Sequence, residues 1–92
     1  MYKIKLLYSA NEDILEIINF ISGDNLFYAN KVYEYIYKSV LLLKDFPFIW
    51  KSRKGWLREI VDPKYWFRIF YKIDSEREIV YIISIFKYKN YL

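Results

Sequence analysis

Three strand-like runs fill the last third of this chain, and each holds a basic residue within an otherwise apolar stretch. In order, the runs carry Arg58, Arg68 and Lys87. Burying an unpaired guanidinium or ammonium group costs free energy, so these side chains must lie on an exposed sheet face or beside a partner that neutralises them. The chain must therefore form a sheet that accommodates these charges, and the three positions are the first candidates for function.

The N-terminal residues predict one strand and one helix. Apolar and charged residues alternate over residues 2–8, which is typical of a strand with one face in the core. Ser9 is followed three positions later by Glu12, as in a capping box, and apolar residues then recur at helical spacing. We therefore expect a strand over 2–8 and a helix over about 11–22.

A second, longer helix is predicted after a short break. Gly23 suits the end of the first helix, and either Asp24 or Asn25 suits the start of the next one. A continuous apolar stripe that includes Tyr33 then predicts a helix over about 25–45, which a proline ends. Because the link is so short, the two helices should form an antiparallel hairpin that packs against a sheet.

The second half of the chain predicts three further strands. Residues 48–55 have the composition of a basic loop, and the strands cover 56–61, then 65 or 66 to 73, and finally 79–86. Links of roughly four and five residues favour an antiparallel meander. The predicted fold is a single α+β domain over residues 1–92 with the order β-α-α-β-β-β, in which a helical hairpin packs on an antiparallel sheet.

Composition limits the chemistry that this chain can perform. It contains neither cysteine nor histidine, so the usual zinc ligands and the commonest general base near neutral pH are missing. We therefore expect no metal and no cofactor, and any catalysis would use Lys, Arg, Tyr, Glu or Asp. The lack of cysteine, of a signal-like segment and of a membrane-spanning apolar run predicts a cytoplasmic protein without a membrane partner.

Charge is unevenly distributed along the sequence. Residues 1–46 carry five basic and six acidic side chains, whereas residues 47–92 carry ten basic and five acidic ones. A basic half of this kind suits a polyanion or an acidic partner segment, although solvated lysine-rich loops and edges would give the same count.

Strand alternation sorts the basic residues by face. In the strand that ends at residue 73, Ile69 and Tyr71 suit the helices, so Arg68 and Lys72 should point away from them. Whether Arg58 joins them depends on a cross-strand register that the pattern does not settle. Basic residues interleaved with aromatic ones can bind a phosphate backbone and stack bases, or they can form an aromatic mini-core closed by an arginine over a ring.

Several ordered motifs together resemble one known family. They are Leu57-Arg58-Glu59, the run Phe67-Arg68-Ile69-Phe70-Tyr71, an apolar last strand with a basic tail, Tyr8-Ser9-Ala10 before an acidic first helix, and Leu43-Lys44-Asp45-Phe46-Pro47. Taken together in their order along the sequence, and over nearly the whole chain, these five motifs resemble the RelE/ParE superfamily of toxins from bacterial type II toxin–antitoxin modules.

The resemblance implies a growth-inhibiting toxin that a cognate antitoxin wraps and neutralises, in a hetero-oligomer of the kind linked to plasmid stabilization. ParE-like members are described as inhibitors of DNA gyrase, and RelE-like members as ribosome-dependent endoribonucleases that cut mRNA without a metal. The Leu57-Arg58-Glu59 pattern is more like ParE, because Glu59 stands where a RelE-type enzyme would have a catalytic lysine. We therefore expect a ParE-like binding inhibitor, with an mRNA interferase as the alternative and a degenerate toxin kept as a partner-binding module as a third.

The resemblance also suggests site residues. If the chain is a ribonuclease, the catalytic group would comprise Arg68, which matches the superfamily's strand arginine, with Glu59 and either Lys87 or Tyr88 as base and acid. Glu59 could equally be a structural partner of a neighbouring arginine. The expected nucleic-acid or target-binding residues are six further cations of the basic half: Lys51, Arg53, Lys54, Arg58, Lys72 and Lys89.

Overall fold

The computed structural model describes residues 1–50, 52–62 and 64–87, which form two helices and five strands. In chain order these are β1 (Lys3–Leu6), α1 (Tyr8–Ser22), α2 (Leu26–Leu42), β2 (Ser52–Lys54), β3 (Leu57–Asp62), β4 (Phe67–Asp74) and β5 (Ile79–Lys87). The strands form one sheet in the order β1-β5-β4-β3-β2, and the helices cover one of its faces. The predicted α+β class, helix pair and C-terminal meander are confirmed.

The sheet is mixed, which corrects the expectation of an antiparallel one. β1 pairs in parallel with β5, whereas the pairs β2–β3, β3–β4 and β4–β5 are antiparallel. Parallel neighbours need a long connection, and here both helices and the strands β2, β3 and β4 lie between β1 and β5 along the chain. The predicted loop over 48–55 also contains β2, which turns into β3 at Gly55 with a positive φ of 58° that glycine adopts without steric cost.

The first helix begins earlier than the sequence predicts. It starts at Tyr8, directly after the extended residue Leu7, and no side chain caps its N-terminus. The predicted capping box is therefore wrong. Ser9 instead donates its hydroxyl hydrogen bond to the backbone oxygen of Ile83 on β5, which ties the start of α1 to the sheet. Asp13, one turn later, accepts a hydrogen bond from the backbone N–H of Ile85 at 2.9 Å.

The second helix begins as expected but ends sooner. Asn25 caps it by accepting a hydrogen bond from the backbone N–H of Tyr28 at 3.0 Å, and the helix ends at Leu42 rather than near residue 45. Residues 43–45 continue as turns, and Leu43 remains fully buried. Within the described residues, neither helix is long and apolar enough to cross a membrane.

One hydrophobic core lies between the helices and the sheet. Its buried residues come from both helices, the turn after α2 and the three long strands: Ala10, Ile17, Ile21, Ala29, Val32, Ile36, Val40, Leu43, Ile60, Phe67, Ile69, Tyr71, Val80, Ile82 and Ile85. Burial of a large apolar side chain contributes roughly 1.5–3 kcal/mol. Aromatic rings extend the core at one end, where Tyr35 of α2 contacts Tyr65 and Phe67 edge to face.

Candidate functional site

Alternation along β4 divides the sheet into two chemically different faces. Phe67, Ile69 and Tyr71 are buried under the helices, whereas Arg68 and Lys72 lie on the opposite side. We call this opposite side the open face. It is defined by Glu59 and Val61 of β3, Arg68, Phe70 and Lys72 of β4, and Tyr81 and Phe86 of β5. The sequence-based prediction that Arg68 and Lys72 point away from the core is confirmed.

The register between β3 and β4 places Glu59 on the open face and Arg58 on the other. Glu59 is the cross-strand partner of Phe70, while Arg58 is the partner of the buried Tyr71. The guanidinium of Arg58 donates a hydrogen bond to the backbone oxygen of Trp50 and lies 4.9 Å from the centre of the Phe48 ring. Arg58 therefore closes the rim of the core and is not part of the open face.

Two arginines converge on the carboxylate of Glu59. Arg53 Nη1 donates a hydrogen bond to Glu59 Oε1 at 2.7 Å, and Arg68 Nε forms an ion pair with Glu59 Oε2 at 3.4 Å. The Glu59 side chain is only 8% exposed, compared with 52% for Arg53 and 38% for Arg68. A nearly buried carboxylate between two partly exposed cations links the edge strand β2 to β4 across β3.

Aromatic rings surround this cluster on the open face. Phe70 and Phe86 contact each other edge to face, with ring centres 5.6 Å apart, and Phe86 is half exposed. Farther along β4, Lys72 Nζ lies 5.3 Å from the Tyr81 ring and 5.9 Å from the Trp56 ring. Cations that lie over aromatic rings, next to exposed aromatic side chains, are typical of surfaces through which proteins bind partners.

An irregularity in β5 moves Lys87 away from this site. Phe70 pairs with Ser84 but the next residue, Tyr71, pairs with Ile82, so Ile83 is an additional residue that reverses the alternation. Lys87 consequently lies on the helix side, where its Nζ is 5.7 Å from the ring of Phe20 on α1. Burial there lowers the pKa of Lys87 below its ordinary value. The sheet therefore separates Lys87 from Glu59 and Arg68.

An apolar groove lies on the helical side of the molecule. This helical groove has a volume of about 500 Å³, and it is lined by Ile4, Leu6, Asn11, Ile14, Leu15, Tyr33, Ile36, Tyr37, Val40, Leu41 and Lys44. Tyr33 and Tyr37 stack with ring centres 6.4 Å apart, and both are about half exposed. The sequence assigned Tyr33 to the buried stripe of α2, and this is wrong. An aromatic pair four positions apart on a helix was the signal for this surface.

The described residues offer no obvious place for a metal. Among residues 1–50, 52–62 and 64–87, no three acidic side chains are grouped so that they could hold an ion. The Glu59 carboxylate, with two guanidinium neighbours, is committed to ion pairs with cations of the chain itself. Chemically, the open face presents positive charge and aromatic surface around a neutralising carboxylate.

Comparison with known families identifies the chain. Residues 4–90 match the family model described as the ParE toxin of type II toxin-antitoxin system, parDE. The chain belongs to the ParE toxin family. It is thus a toxin of the RelE/ParE superfamily of type II toxin–antitoxin systems, as its motifs suggested. A sequence comparison with curated proteins gives no match.

Solved structures of toxin–antitoxin systems share the fold of this ParE-family toxin. A chain of the chromosomal ParDE system from P. aeruginosa is 16% identical, with a TM-score of 0.80 over 97% of this chain and 98% of that one. A chain of the intact E. coli RelBE toxin-antitoxin complex is 19% identical, with a TM-score of 0.74 over 98% and 100% of the two chains. A chain of the toxin-antitoxin complex RelBE2 from Mycobacterium tuberculosis is 18% identical, with a TM-score of 0.65 over 91% of this chain and 94% of that one.

The residues expected from the sequence to form the site of this ParE-family toxin are distributed over several places. Glu59, Arg68 and Arg53 are together on the open face, and Lys72 lies farther along the same face. Lys54 is exposed on β2. Arg58 and Lys87 belong to the helix side. The remaining candidates, Lys51, Tyr88 and Lys89, lie outside the described residues.

Proposed function

We propose that this ParE-family toxin acts by binding and inhibiting an essential protein target, with DNA gyrase as the leading candidate, and that a cognate antitoxin neutralises it in a cytoplasmic hetero-oligomer. The observation that carries the proposal is the position of Glu59 between Arg53 and Arg68. A carboxylate in that position cancels positive charge at the centre of the open face. The result is a mixed aromatic and ionic surface suited to a protein partner.

The same geometry argues against RNA cleavage by these residues. Attack by a 2′-hydroxyl on the adjacent phosphodiester needs a base, a cation at the phosphate and an acid for the leaving oxygen. Glu59 is held by two guanidinium groups, and Lys87 lies on the other side of the sheet, against Phe20. Of the described residues proposed as catalytic, only Glu59 and Arg68 are close together, and they neutralise each other.

The helical groove is the proposed contact surface of the antitoxin. Its lining is largely apolar, and its exposed Leu15, Tyr33 and Tyr37 offer side chains that an amphipathic helix can bury. Lys44 at the groove supplies a cation for an acidic residue of such a segment. The solved RelBE and ParDE structures are of toxin–antitoxin systems, which supports a partner of this class.

The function is tested with the purified, antitoxin-free protein. We expect growth arrest on expression, inhibition of DNA supercoiling by gyrase, and unchanged mRNA ends in a primer-extension assay on translating ribosomes. The control is the same protein after incubation with its antitoxin, which should restore supercoiling. Cleaved mRNA with normal supercoiling would establish the mRNA interferase instead, and expression without growth arrest would indicate a degenerate, partner-binding module.

A further inference from the structure

We propose that Glu59 is a specificity-determining residue that prevents Arg53 and Arg68 from binding the phosphates of nucleic acid. The proposal rests on the proposed function, because it explains how an arginine-bearing surface of a basic chain can select a protein target. It assigns Glu59 no chemical step. Its role is to occupy the position between two guanidinium groups where a phosphate would otherwise bind.

The short distances between Glu59 and the two arginines mean that an anion binding to them would be repelled by the Glu59 carboxylate. Glu59 Oε1 lies 2.7 Å from Arg53 Nη1, and Glu59 Oε2 lies 3.4 Å from Arg68 Nε. A phosphate that contacts both guanidinium groups must come within about 5 Å of this carboxylate, where like charges repel even at a solvent-exposed site. Each cation also has part of its charge neutralised by Glu59. Both effects weaken phosphate binding at this place.

Burial holds Glu59 in this position. Its side chain is 8% exposed and arises from β3, which has neighbours on both sides in the sheet. The surface pair Arg77–Asp74 differs, because it lies at the β4–β5 turn with exposures of 75% and 25%. To make room for an anion, the Glu59 side chain would have to leave two ion pairs and a nearly buried site. It therefore acts as a fixed negative charge.

The surroundings of the cluster favour a protein ligand. Phe70 and Phe86 pack beside Arg68 on the open face, and Phe86 and Trp56 are more than half exposed. Nucleic-acid binding derives most of its affinity from phosphate contacts, whereas protein interfaces combine aromatic anchors with few, matched charges. Neutralising the central arginines thus removes affinity for nucleic acid and leaves the aromatic contacts intact.

The test measures RNA binding by the full-length chain without any target or antitoxin. The probe is a fluorescein-labelled single-stranded RNA of about 12 nucleotides, followed by fluorescence anisotropy at several salt concentrations. Glu59→Gln keeps the shape and hydrogen-bond acceptor but removes the charge. We expect it to bind roughly tenfold more tightly than the wild type. In a plot of the logarithm of the binding constant against the logarithm of the salt concentration, the slope should become steeper by about 0.7 for each additional phosphate that the variant neutralises.

Matched variants separate this effect from a change in net charge. Glu34→Gln removes one negative charge from an exposed position on α2, away from the open face, and should leave RNA affinity almost unchanged. Adding Arg68→Gln to Glu59→Gln should abolish the tighter binding. The proposal is overturned if Glu59→Gln binds RNA no better than Glu34→Gln, or if the tighter binding survives loss of Arg68.

A second variant covers the case in which Glu59→Gln misfolds. Glu59→Thr also removes the charge and has a high preference for strands, and circular dichroism identifies which variants are folded. A folded Glu59→Thr without tighter RNA binding would also overturn the proposal. Because the measurement uses no gyrase, ribosome or antitoxin, its result is independent of the supercoiling and primer-extension assays. Failure of this inference is therefore distinguishable from failure of the proposed function.

Discussion

Arg58 and Arg68 occupy neighbouring strands of one sheet but lie on opposite faces of it. Arg58 faces the helices, where its guanidinium covers Phe48 and donates a hydrogen bond to the backbone oxygen of Trp50. Arg68 lies on the open face and pairs with the carboxylate of Glu59. The same residue type, in similarly apolar strands, thus closes a core in one place and forms part of a candidate interface in the other.

The two faces differ in what a side chain contributes. On the helix face, residues such as Ile69 and Tyr71 are wholly buried, so their contacts stabilise the fold. On the open face, Arg68 and Phe86 remain partly exposed, and their contribution to stability is limited by water. Substitutions on the helix face should therefore change the free energy of unfolding, and those on the open face should change activity.

The largest expected difference is between the adjacent residues Ile69 and Phe70. Ile69→Ala creates a cavity at a fully buried position, so we expect the free energy of unfolding to fall by about 3 kcal/mol. Phe70→Ala removes a larger side chain from the open face but should cost only about 1 kcal/mol. Urea unfolding followed by circular dichroism measures both values. Equal losses would contradict the distinction between the faces.

The second-largest difference is expected between substitutions of Arg58 and of Arg68. Arg58→Ala leaves the Trp50 carbonyl without its donor and uncovers Phe48, so we expect a loss of about 2 kcal/mol. Arg68→Ala should cost less than about 1 kcal/mol, because Glu59 keeps its bond to Arg53. Expression in cells should show that folded Arg68→Ala no longer arrests growth. An unfolded Arg68→Ala protein would instead assign this arginine a structural role.

A smaller, pH-dependent effect is expected from Tyr71 on the helix face. Burial raises the pKa of Tyr71 to about 12 from an ordinary value of 10.0, which disfavours its ionised form in the folded state. The stability that depends on neutral Tyr71 is therefore complete below pH 10 and is lost as the pH rises toward 12. At pH 11, ionisation of Tyr71 should have lowered the free energy of unfolding of the wild type by about 1.4 kcal/mol.

Tyr71→Phe is the variant that isolates this titration. At neutral pH it should be about 1 kcal/mol less stable, because it lacks the hydrogen bond from the Tyr71 hydroxyl to the Pro47 carbonyl. Since it also lacks the ionisable group, its stability should approach that of the wild type near pH 11. Tyr37→Phe, at a half-exposed position, is the control. Parallel stability curves for Tyr71→Phe and the wild type would refute the prediction.

Much of the fold was predictable because local patterns agreed with one another. The helical repeat of apolar residues located both helices, and alternation in the strand around Arg68 assigned its faces correctly. The start of α1 was missed because Ser9 bonds to Ile83, a residue distant in sequence, instead of capping its own helix. The parallel pairing of β1 was missed for a similar reason, since strand direction depends on the path of the whole chain.

The candidate site was predictable only in part. Arg68 and Glu59 were both named from the sequence, but their contact depends on the register of β3 against β4. Lys87 was grouped with them, although the additional residue at Ile83 places it on the helix side. A one-residue shift reverses every side chain beyond it, and no local pattern in an apolar strand reveals such a shift.

The sequence by itself determined the α+β class, the basic second half and membership of a toxin family, because these depend on residue types and their order. Only the tertiary structure decided which charges meet. It brought Arg53 and Arg68 to the carboxylate of Glu59 and placed Arg58 beside the core. The physical reason is that an ion pair between strands requires a few ångströms of proximity, which pairing register and strand irregularities control and residue order alone does not.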